Sequence, residues 1–300
     1  MRVCPACGSP RVSDGWLCPD CGTRPAVIDG FTAFAPAMAR ENSGFRGDYF
    51  AQLAALEAGN FWFRARNELI VWALTTWFPD ARELLEVGCG TGFVLRGIHA
   101  ARPAIELTGS EIFSTGLAFA QERLPSARFY QMDARHIPFR DEFDVIGAFD
   151  VLEHIDDDAG VIAEIGRALR PGGGFLISVP QHPALWSRQD VNAFHVRRYT
   201  AGEIRGKLEA AGFEIVRMTS FVSLLLPLMF ASRMRMRGSV PGTGDELEAT
   251  ETIRQPRALD LAFRPVMAVE RALIRLGLSF PAGGSLLVVA RKPDPAGAQP

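Results

Sequence analysis

The chain is 300 residues long, with 32 basic and 34 acidic side chains for a net charge of −2, 48% hydrophobic residues and 10% aromatics. Such balance, with so much apolar material, excludes disorder over the whole chain and gives no general electrostatic case for a nucleic-acid partner. No stretch approaches the roughly 20 apolar residues of a membrane-spanning helix, and Met1-Arg2-Val3-Cys4 opens without the apolar core of a secretion signal, so the sequence predicts a cytoplasmic protein.

Four of the five cysteines fall in the first 21 residues, as Cys4-Pro-Ala-Cys7 and Cys18-Pro-Asp-Cys21, each pair followed by a glycine (Gly8, Gly22). Two residues between thiols let a tight turn aim both sulfurs at one ion, so Cys4, Cys7, Cys18 and Cys21 are predicted to hold a structural Zn2+ in a closed tetrahedral sphere. A redox pair or two disulfides are the alternatives, and the doubled spacing without a thioredoxin-like βαβ context argues against both. Residues 1–36 are therefore assigned to a zinc ribbon whose metal supplies folding energy that so short a segment cannot draw from a core. With the run Ala26-Val27-Ile28-Asp29-Gly30-Phe31 behind it, the segment resembles Trm112-like ribbons over about 35 residues. That resemblance implies a docking or structural role and no activity. Because the rest of the chain would have a separate core, losing zinc is expected to unfold the ribbon and leave ligand binding elsewhere largely intact.

Residues 37–80 form a predicted helical extension, broken near Gly59-Asn60 and rich in aromatics, with Leu69, Ile70, Ala73, Leu74 and Trp77 at helical spacing. From residue 81 onward strands and helices alternate. Strands are predicted near 83–87, 105–110, 127–131, 143–149, 174–179, 213–218 and 285–291, and helices near 92–101, 114–124, 156–169, 201–211 and 258–277. This alternation predicts an α/β fold, a Rossmann-like, seven-stranded, mostly parallel sheet with helices on both faces. Residues 238–256 are polar and rich in Gly and Pro, a predicted loop.

The first of these strands, Leu84-Leu85-Glu86-Val87, runs into Gly88-Cys89-Gly90-Thr91-Gly92, where bare backbone lets a ligand lie close. A dinucleotide fingerprint would need Gly at 93, which is Phe93. Instead the segment resembles the first motif of the class I S-adenosylmethionine-dependent methyltransferases, of the form E/D-x-G-x-G-x-G, met by Glu86, Gly88, Gly90 and Gly92. The resemblance implies S-adenosylmethionine as cofactor, its ammonium group near Glu86 and the glycine loop, Cys89 included, against it. Glu111, 23 residues beyond Gly88, would take the ribose hydroxyls with Ile112 beside it, and Asp133 with Ala134 would meet the adenine. The stretch Phe143-Asp144-Val145 through Asp150, Glu153 and His154 resembles the fourth-strand motif, so Asp150 would face the sulfonium. Arg170-Pro171-Gly172-Gly173-Gly174 resembles the family's turn before the fifth strand and reads as a plain helix-to-strand turn. The likeness covers roughly residues 80–220 plus a last antiparallel strand.

Acceptors should sit beyond the carboxyl ends of the strands, near Pro180–Thr200. There His195-Val-Arg197-Arg-Tyr199-Thr200 resembles the H-x-R-x-Y/F-T signature of ubiquinone and menaquinone biosynthesis-type methyltransferases. Thr200 with Glu203 also reads as a capping box. His195 and His154 are the candidate catalytic groups, either able to accept a proton near neutral pH. A sulfonium is already activated, so positioning can supply most of the rate and the sequence demands no catalytic metal. An apolar insertion at 220–280 contains the run 221–231, followed by Arg233, Arg235 and Arg237, and the amphipathic stretch 258–278 with Arg264, Arg271 and Arg275. A lid, a homodimer face or peripheral membrane contact are the roles such segments serve.

The expected function is methyl transfer to a small-molecule acceptor, lipid, quinone or sugar-derived. Two rivals remain. Some zinc-ribbon enzymes methylate rRNA or tRNA, yet residues 1–25 hold three arginines against two aspartates, so no nucleic-acid surface is evident. The other is a non-catalytic cofactor-binding or partner-docking module.

Overall fold

The computed structural model describes residues 1–40, 48–237 and 256–295; the expected loop at 238–256 lies, but for Pro256, outside the described residues. Its strands are β1 (Ala26–Ile28), β2 (Phe31–Ala33), β3 (Glu83–Val87), β4 (Glu106–Glu111), β5 (Arg128–Gln131), β6 (Phe143–Phe149), β7 (Leu169–Pro180), β8 (Glu214–Phe221) and β9 (Ser285–Arg291). They form one sheet in the order β1-β2-β5-β4-β3-β6-β7-β9-β8. From β2 to β7 neighbours run parallel, while β9 is antiparallel to both β7 and β8.

The helices are α1 (Asp48–Glu57), α2 (Phe61–Trp77), α3 (Phe93–Ala101), α4 (Ser114–Arg123), α5 (Asp158–Ala168), α6 (Arg188–Asn192), α7 (Ala201–Ala210), α8 (Leu226–Arg237) and α9 (Arg257–Arg275). Strand alternation splits the core. Leu84, Leu287 and Val289 face one cluster with Leu69, Ile70 and Leu74 of α2, whereas Leu85, Val87, Leu286 and Val288 face another with α5 and α7. Both faces are covered, as a parallel sheet requires.

Seven strands and the main helices lie where the sequence placed them, and the helical extension breaks at Asn60, whose side chain caps α2 by accepting from Trp62 N at 2.9 Å. The sheet has nine strands, not seven. The two extra strands are a hairpin turning at Asp29-Gly30, where Ile28 pairs with Phe31 and both turn residues have positive φ (51° and 90°). Asp-Gly suits such a two-residue turn, because the twist of the strands demands left-handed backbone at both positions. β2 then pairs with β5 through Thr32–Tyr130 and Ala33–Gln131. The ribbon's tail is thus the edge of the central sheet.

The cysteine end is fastened as well. Val3 N donates to the Pro138 carbonyl at 3.0 Å. Trp16 is buried against Phe34, Tyr130 and Phe139 at ring separations of 4.5–5.7 Å. Aromatic packing of this kind joins ribbon and domain into one core.

Candidate active site

A cavity of about 1050 Å³ opens where β3, β4, β5 and β6 end. That position, outside the carboxyl ends of parallel strands, is where open α/β sheets bind ligands, and single small ligands fill roughly 300–1,000 Å³. There is room for two molecules.

Glu86, Gly88, Cys89, Gly90, Glu111, Ile112, Asp133, Ala134, Asp150, His154 and His195 all line it. Gly92 does not. It starts α3 at φ 73° and packs on α4, where a Cβ would come within 3.0 Å of Ala120 Cα. Gly88 needs glycine for two reasons: its φ is 68°, and a Cβ would meet Val151 at 2.5 Å.

Each acid at a strand end has a distinct surrounding. Glu86 is buried at the end of β3, and burial pushes its carboxyl well above the usual range. Its Oε2 has no hydrogen-bond partner, a deficit that an ammonium group would satisfy. Glu111 accepts from Gly90 N at 3.1 Å and Ile112 N at 2.8 Å, tying the glycine loop to the end of β4. Asp133 is paired with Arg135 through Nε at 3.0 Å and Nη2 at 2.8 Å. That pairing, together with a backbone bond from Arg135 N, holds Asp133 below its ordinary pKa even though burial opposes it. Asp133 is therefore already engaged by a cation.

Several groups that shape the cavity escaped the sequence reading. Arg66 of α2 is buried, donates to Asp150, and stacks over Trp62 at 4.6 Å; Asp150, at φ 58°, also accepts from Ser178 Oγ at 2.9 Å. Nε of Arg66 has no partner. Glu57, at the end of α1, accepts from Thr91 Oγ1 at 2.6 Å and from Arg123 at 2.7 Å, pinning the helical extension onto the glycine loop. Neither residue lies in a recognisable motif. Only their place in an amphipathic segment ahead of the first strand hinted at them.

In the segment after β7, His195 Nδ1 lies 3.0 Å from Asp190 Oδ1, and Asp190 also takes Arg198 Nε at 2.6 Å and Arg233 Nη1 at 2.7 Å. Burial would raise Asp190, but the His195 hydrogen bond and both guanidiniums hold it well below the carboxylate range. His154 meets the His195 ring edge-on at 4.9 Å; burial and that neighbour lower it to about 4, so it is a neutral imidazole at neutral pH. The rest of the signature is scaffolding: Arg197 Nη1 and Tyr199 Oη both bond Asp158 at the start of α5, at 2.8 and 2.7 Å, and Thr200 forms the expected capping box with Glu203.

The insertion supplies an apolar wall, with Leu225, Leu228 and Met229 from the α8 side and Leu259 and Phe263 from α9 lining the cavity. Arg233, which follows the apolar run, points inward to Asp190, because that buried carboxylate needs cations. Side chains of Arg235 and Arg237 lie outside the described residues. Among the described residues no helix is long and apolar enough to cross a membrane.

In the ribbon, the four cysteine sulfurs lie within 4.8 Å of one another, Cys4 to Cys21 at 3.6 Å and Cys7 to Cys18 at 3.7 Å. Gly8 and Gly22, both with positive φ, donate back to the Cys4 and Cys18 carbonyls at 2.9 Å to close the two turns. An ion with sulfur at about 2.3 Å on tetrahedral corners would space the sulfurs by about 3.8 Å, so the four thiols fit one.

Residues 85–177 match the family model described as a methyltransferase domain. The fold and this match make the region a class I S-adenosylmethionine-dependent methyltransferase domain, an enzyme domain by family. A Mycolicibacterium smegmatis protein named "Probable S-adenosylmethionine-dependent methyltransferase" is 34% identical over 166 residues, 54% of this chain and 63% of that protein. The chain spans about three fifths of the length of this relative and of two similarly named Mycobacterium tuberculosis proteins. The ubiquinone/menaquinone biosynthesis C-methyltransferase UbiE of Desulfotalea psychrophila is 32% identical over 98 residues, 32% of this chain and 40% of that protein. Among solved structures, the complex of the Haloferax volcanii Trm112 methyltransferase activator with a methyltransferase aligns at a TM-score of 0.52 and 19% identity, covering 83% of this chain and 100% of the other, a likeness of fold.

Proposed function

We propose that the protein transfers the methyl group of S-adenosylmethionine to a small acceptor with an apolar body. The carrying observation is a cavity shared by a polar cradle of Glu86, the glycine loop and Glu111 and by the α8/α9 apolar wall. When bound, S-adenosylmethionine supplies a methyl group on a positively charged sulfur, a good leaving group. The chain's own residues then bind, orient and exclude water. Glu86 takes the ammonium group, Arg66 the carboxylate, Glu111 the ribose hydroxyls, and Ile112, Asp133 and Ala134 surround the adenine. Asp150 faces the sulfonium.

In the transfer a bond forms between the acceptor's nucleophilic atom and the methyl carbon while the carbon–sulfur bond breaks, its electron pair staying on sulfur. The acceptor's proton leaves to His195 or to water. Asp190 fixes the His195 ring and turns Nε2 toward the cavity; His154 supports that ring from the side. Alignment in a dry cavity supplies most of the acceleration. Quinone-like and lipid-like acceptors fit the apolar wall better than sugars. Calorimetry with S-adenosylhomocysteine, followed by transfer of labelled methyl groups into extract fractions, tests this; product in polar nucleic-acid fractions alone would favour the RNA rival.

The ribbon is proposed to hold one Zn2+ through Cys4, Cys7, Cys18 and Cys21 and to serve as a permanent edge of the methyltransferase sheet. Its support is the β2–β5 pairing, which covers an otherwise open edge strand. The exposed leucines of α8 and α9 are proposed as the mouth through which an apolar acceptor enters, by contact with a lipid surface.

A further inference from the structure

Glu153 has no part in the function described so far. It belongs to the short helical turn Leu152–His154 after β6, is fully buried (0% exposed) and lines the cavity. Beyond its own backbone amide, neither carboxyl oxygen has a hydrogen-bond partner among the described residues. A polar group buried in that state is costly until something satisfies it. The nearest guanidiniums are committed elsewhere: Arg66 to Asp150, and Arg198 to Asp190 and the Gln181 carbonyl.

We propose that Glu153 sets acceptor specificity: its carboxyl hydrogen-bonds a hydroxyl or carbonyl oxygen on the carbon adjacent to the one whose oxygen is methylated. The inference deepens the methyltransferase reading and rests on it. The acceptor class is an aromatic ring with oxygens on two neighbouring carbons and an apolar substituent, the latter against the α8/α9 wall.

Glu153 Oε1 lies 3.9 Å from His195 Nε2, the nitrogen offered above to the acceptor's proton. That gap is too long for a direct hydrogen bond between the two side chains. Bonds of roughly 2.7–3.0 Å from each of them do reach two oxygens on adjacent carbons, one per protein group. The spacing is held by the backbone: Val196 N donates to the Glu153 carbonyl at 2.7 Å, fastening the turn after β6 to the segment that carries His195. Asp150, assigned above to the sulfonium, stands three residues before Glu153, and its charge is felt there. The idle carboxyl is thus beside both the proton acceptor and the methyl donor.

Burial, with the charge of Asp150, raises the Glu153 carboxyl well above the carboxylate range against the pull of Arg66 and Arg198, so it keeps its proton near neutral pH. A protonated carboxyl both donates and accepts, and so serves a carbonyl or a hydroxyl alike. It offers an amine no counter-charge. In the transfer the oxygen–methyl bond forms as the carbon–sulfur bond breaks, the pair staying on sulfur; the hydroxyl proton passes to His195, and Glu153 keeps its own.

The full-length protein, saturated with S-adenosylhomocysteine, is titrated with para-hexylphenol and with its catechol counterpart, which has a second hydroxyl beside the first. Wild type is expected to bind the catechol at least about tenfold more tightly, because a site that hydrogen-bonds a hydroxyl rejects the analogue lacking it. Glu153→Gln, still a donor and an acceptor, should keep most of that preference. Glu153→Leu should erase it by weakening the catechol and leaving the phenol unchanged. Should Glu153→Leu fail to fold, infrared difference spectra decide: the catechol, and not the phenol, should shift a carboxylic C=O band that Glu153→Gln lacks. No preference in the wild type, a preference that survives in Glu153→Leu, or an unshifted band overturns the proposal and leaves Glu153 a buried structural acid. Absence of S-adenosylhomocysteine binding by the wild type overturns the methyltransferase reading itself; where it binds, the phenol and catechol arms test Glu153 alone.

Discussion

Gln131 and Ala35 bond in both directions: Gln131 Nε2 donates to the Ala35 carbonyl at 2.9 Å, and Gln131 Oε1 accepts from the Ala35 amide at 3.0 Å. The same Nε2 donates to the Ile112 carbonyl at 2.8 Å. One fully buried amide thereby ties the ribbon's tail, the end of β5 and the loop beside Glu111.

That junction changes what loss of zinc should do. The sequence suggested an autonomous ribbon, yet its hairpin shares the sheet with the strands carrying Glu111 and Asp133. Cys4→Ser with Cys18→Ser is expected to reduce zinc from one per chain to none and to weaken S-adenosylhomocysteine binding several-fold. Gln131→Leu should act in the same direction without loss of metal, since unsatisfied partners cost about 1–3 kcal/mol each. Metal analysis beside calorimetry separates the two effects. Undiminished affinity in the zinc-free variant would restore the autonomous ribbon.

Cofactor affinity should depend on Glu111 far more than on Asp133. Glu111 holds Gly90 and Ile112 in place and is proposed to take the ribose hydroxyls, so Glu111→Ala is expected to remove both the loop anchor and the ligand contact. At about 1–3 kcal/mol per unpaired group the loss spans roughly 10- to 100-fold or more. Asp133 is neutralised by Arg135, and Asp133→Asn should shift affinity by less than about fivefold. Equal losses in calorimetric titrations would contradict the ranking.

Arg66 should discriminate between cofactor fragments. Replacing it by Met leaves Asp150 with Ser178 Oγ and takes away the charge facing a cofactor carboxylate. S-adenosylhomocysteine should bind at least about tenfold more weakly, whereas methylthioadenosine, which lacks the carboxylate and amino group, should bind Arg66→Met and wild type alike. Lys should rescue poorly, because the guanidinium plane also stacks on Trp62. A parallel loss for both ligands would mean that Arg66 only supports the fold.

What the sequence made legible follows from what each signal encodes. Apolar runs such as Leu84–Val87 and Phe143–Phe149 specify parallel strands by themselves, and a strand ending in spaced glycines marks the ligand end of the sheet. Glu111 and Asp133 were placed because strand ends are countable from there. Arg66, Glu57 and Asp190 were not, since each acts through a partner between 34 and 84 residues away, and such pairings leave no local pattern. The hairpin was legible but unread: its Asp29-Gly30 turn is a strong signal whose strands are only three residues long. Gly92 satisfied a motif while its backbone serves helix packing. Arg233 matched no motif, yet the buried Asp190 draws it inward.

The apolar face of α8 gives the last expectation. Leu228 is 59% exposed although it also lines the cavity, and Leu224, Phe230, Leu259 and Leu261 are exposed beside or across from it. Among the described residues, three of the cations that could have met anionic headgroups, Arg233, Arg264 and Arg271, pair with Asp190, Asp260 and Glu68. Membrane contact through this face should therefore be driven by apolar area, at about 25 cal/mol per Å² buried, rather than by charge. Co-sedimentation is expected with neutral phosphatidylcholine vesicles as well as anionic ones and should respond weakly to salt. Changing Leu224, Leu228 and Phe230 together to Ser should abolish it and leave S-adenosylhomocysteine affinity unchanged, because the polar cradle is built from β3, β4 and their loops. If the wild type elutes as a dimer that these substitutions split, and never sediments with either vesicle, the face joins two copies of the chain and the acceptor must enter by another route.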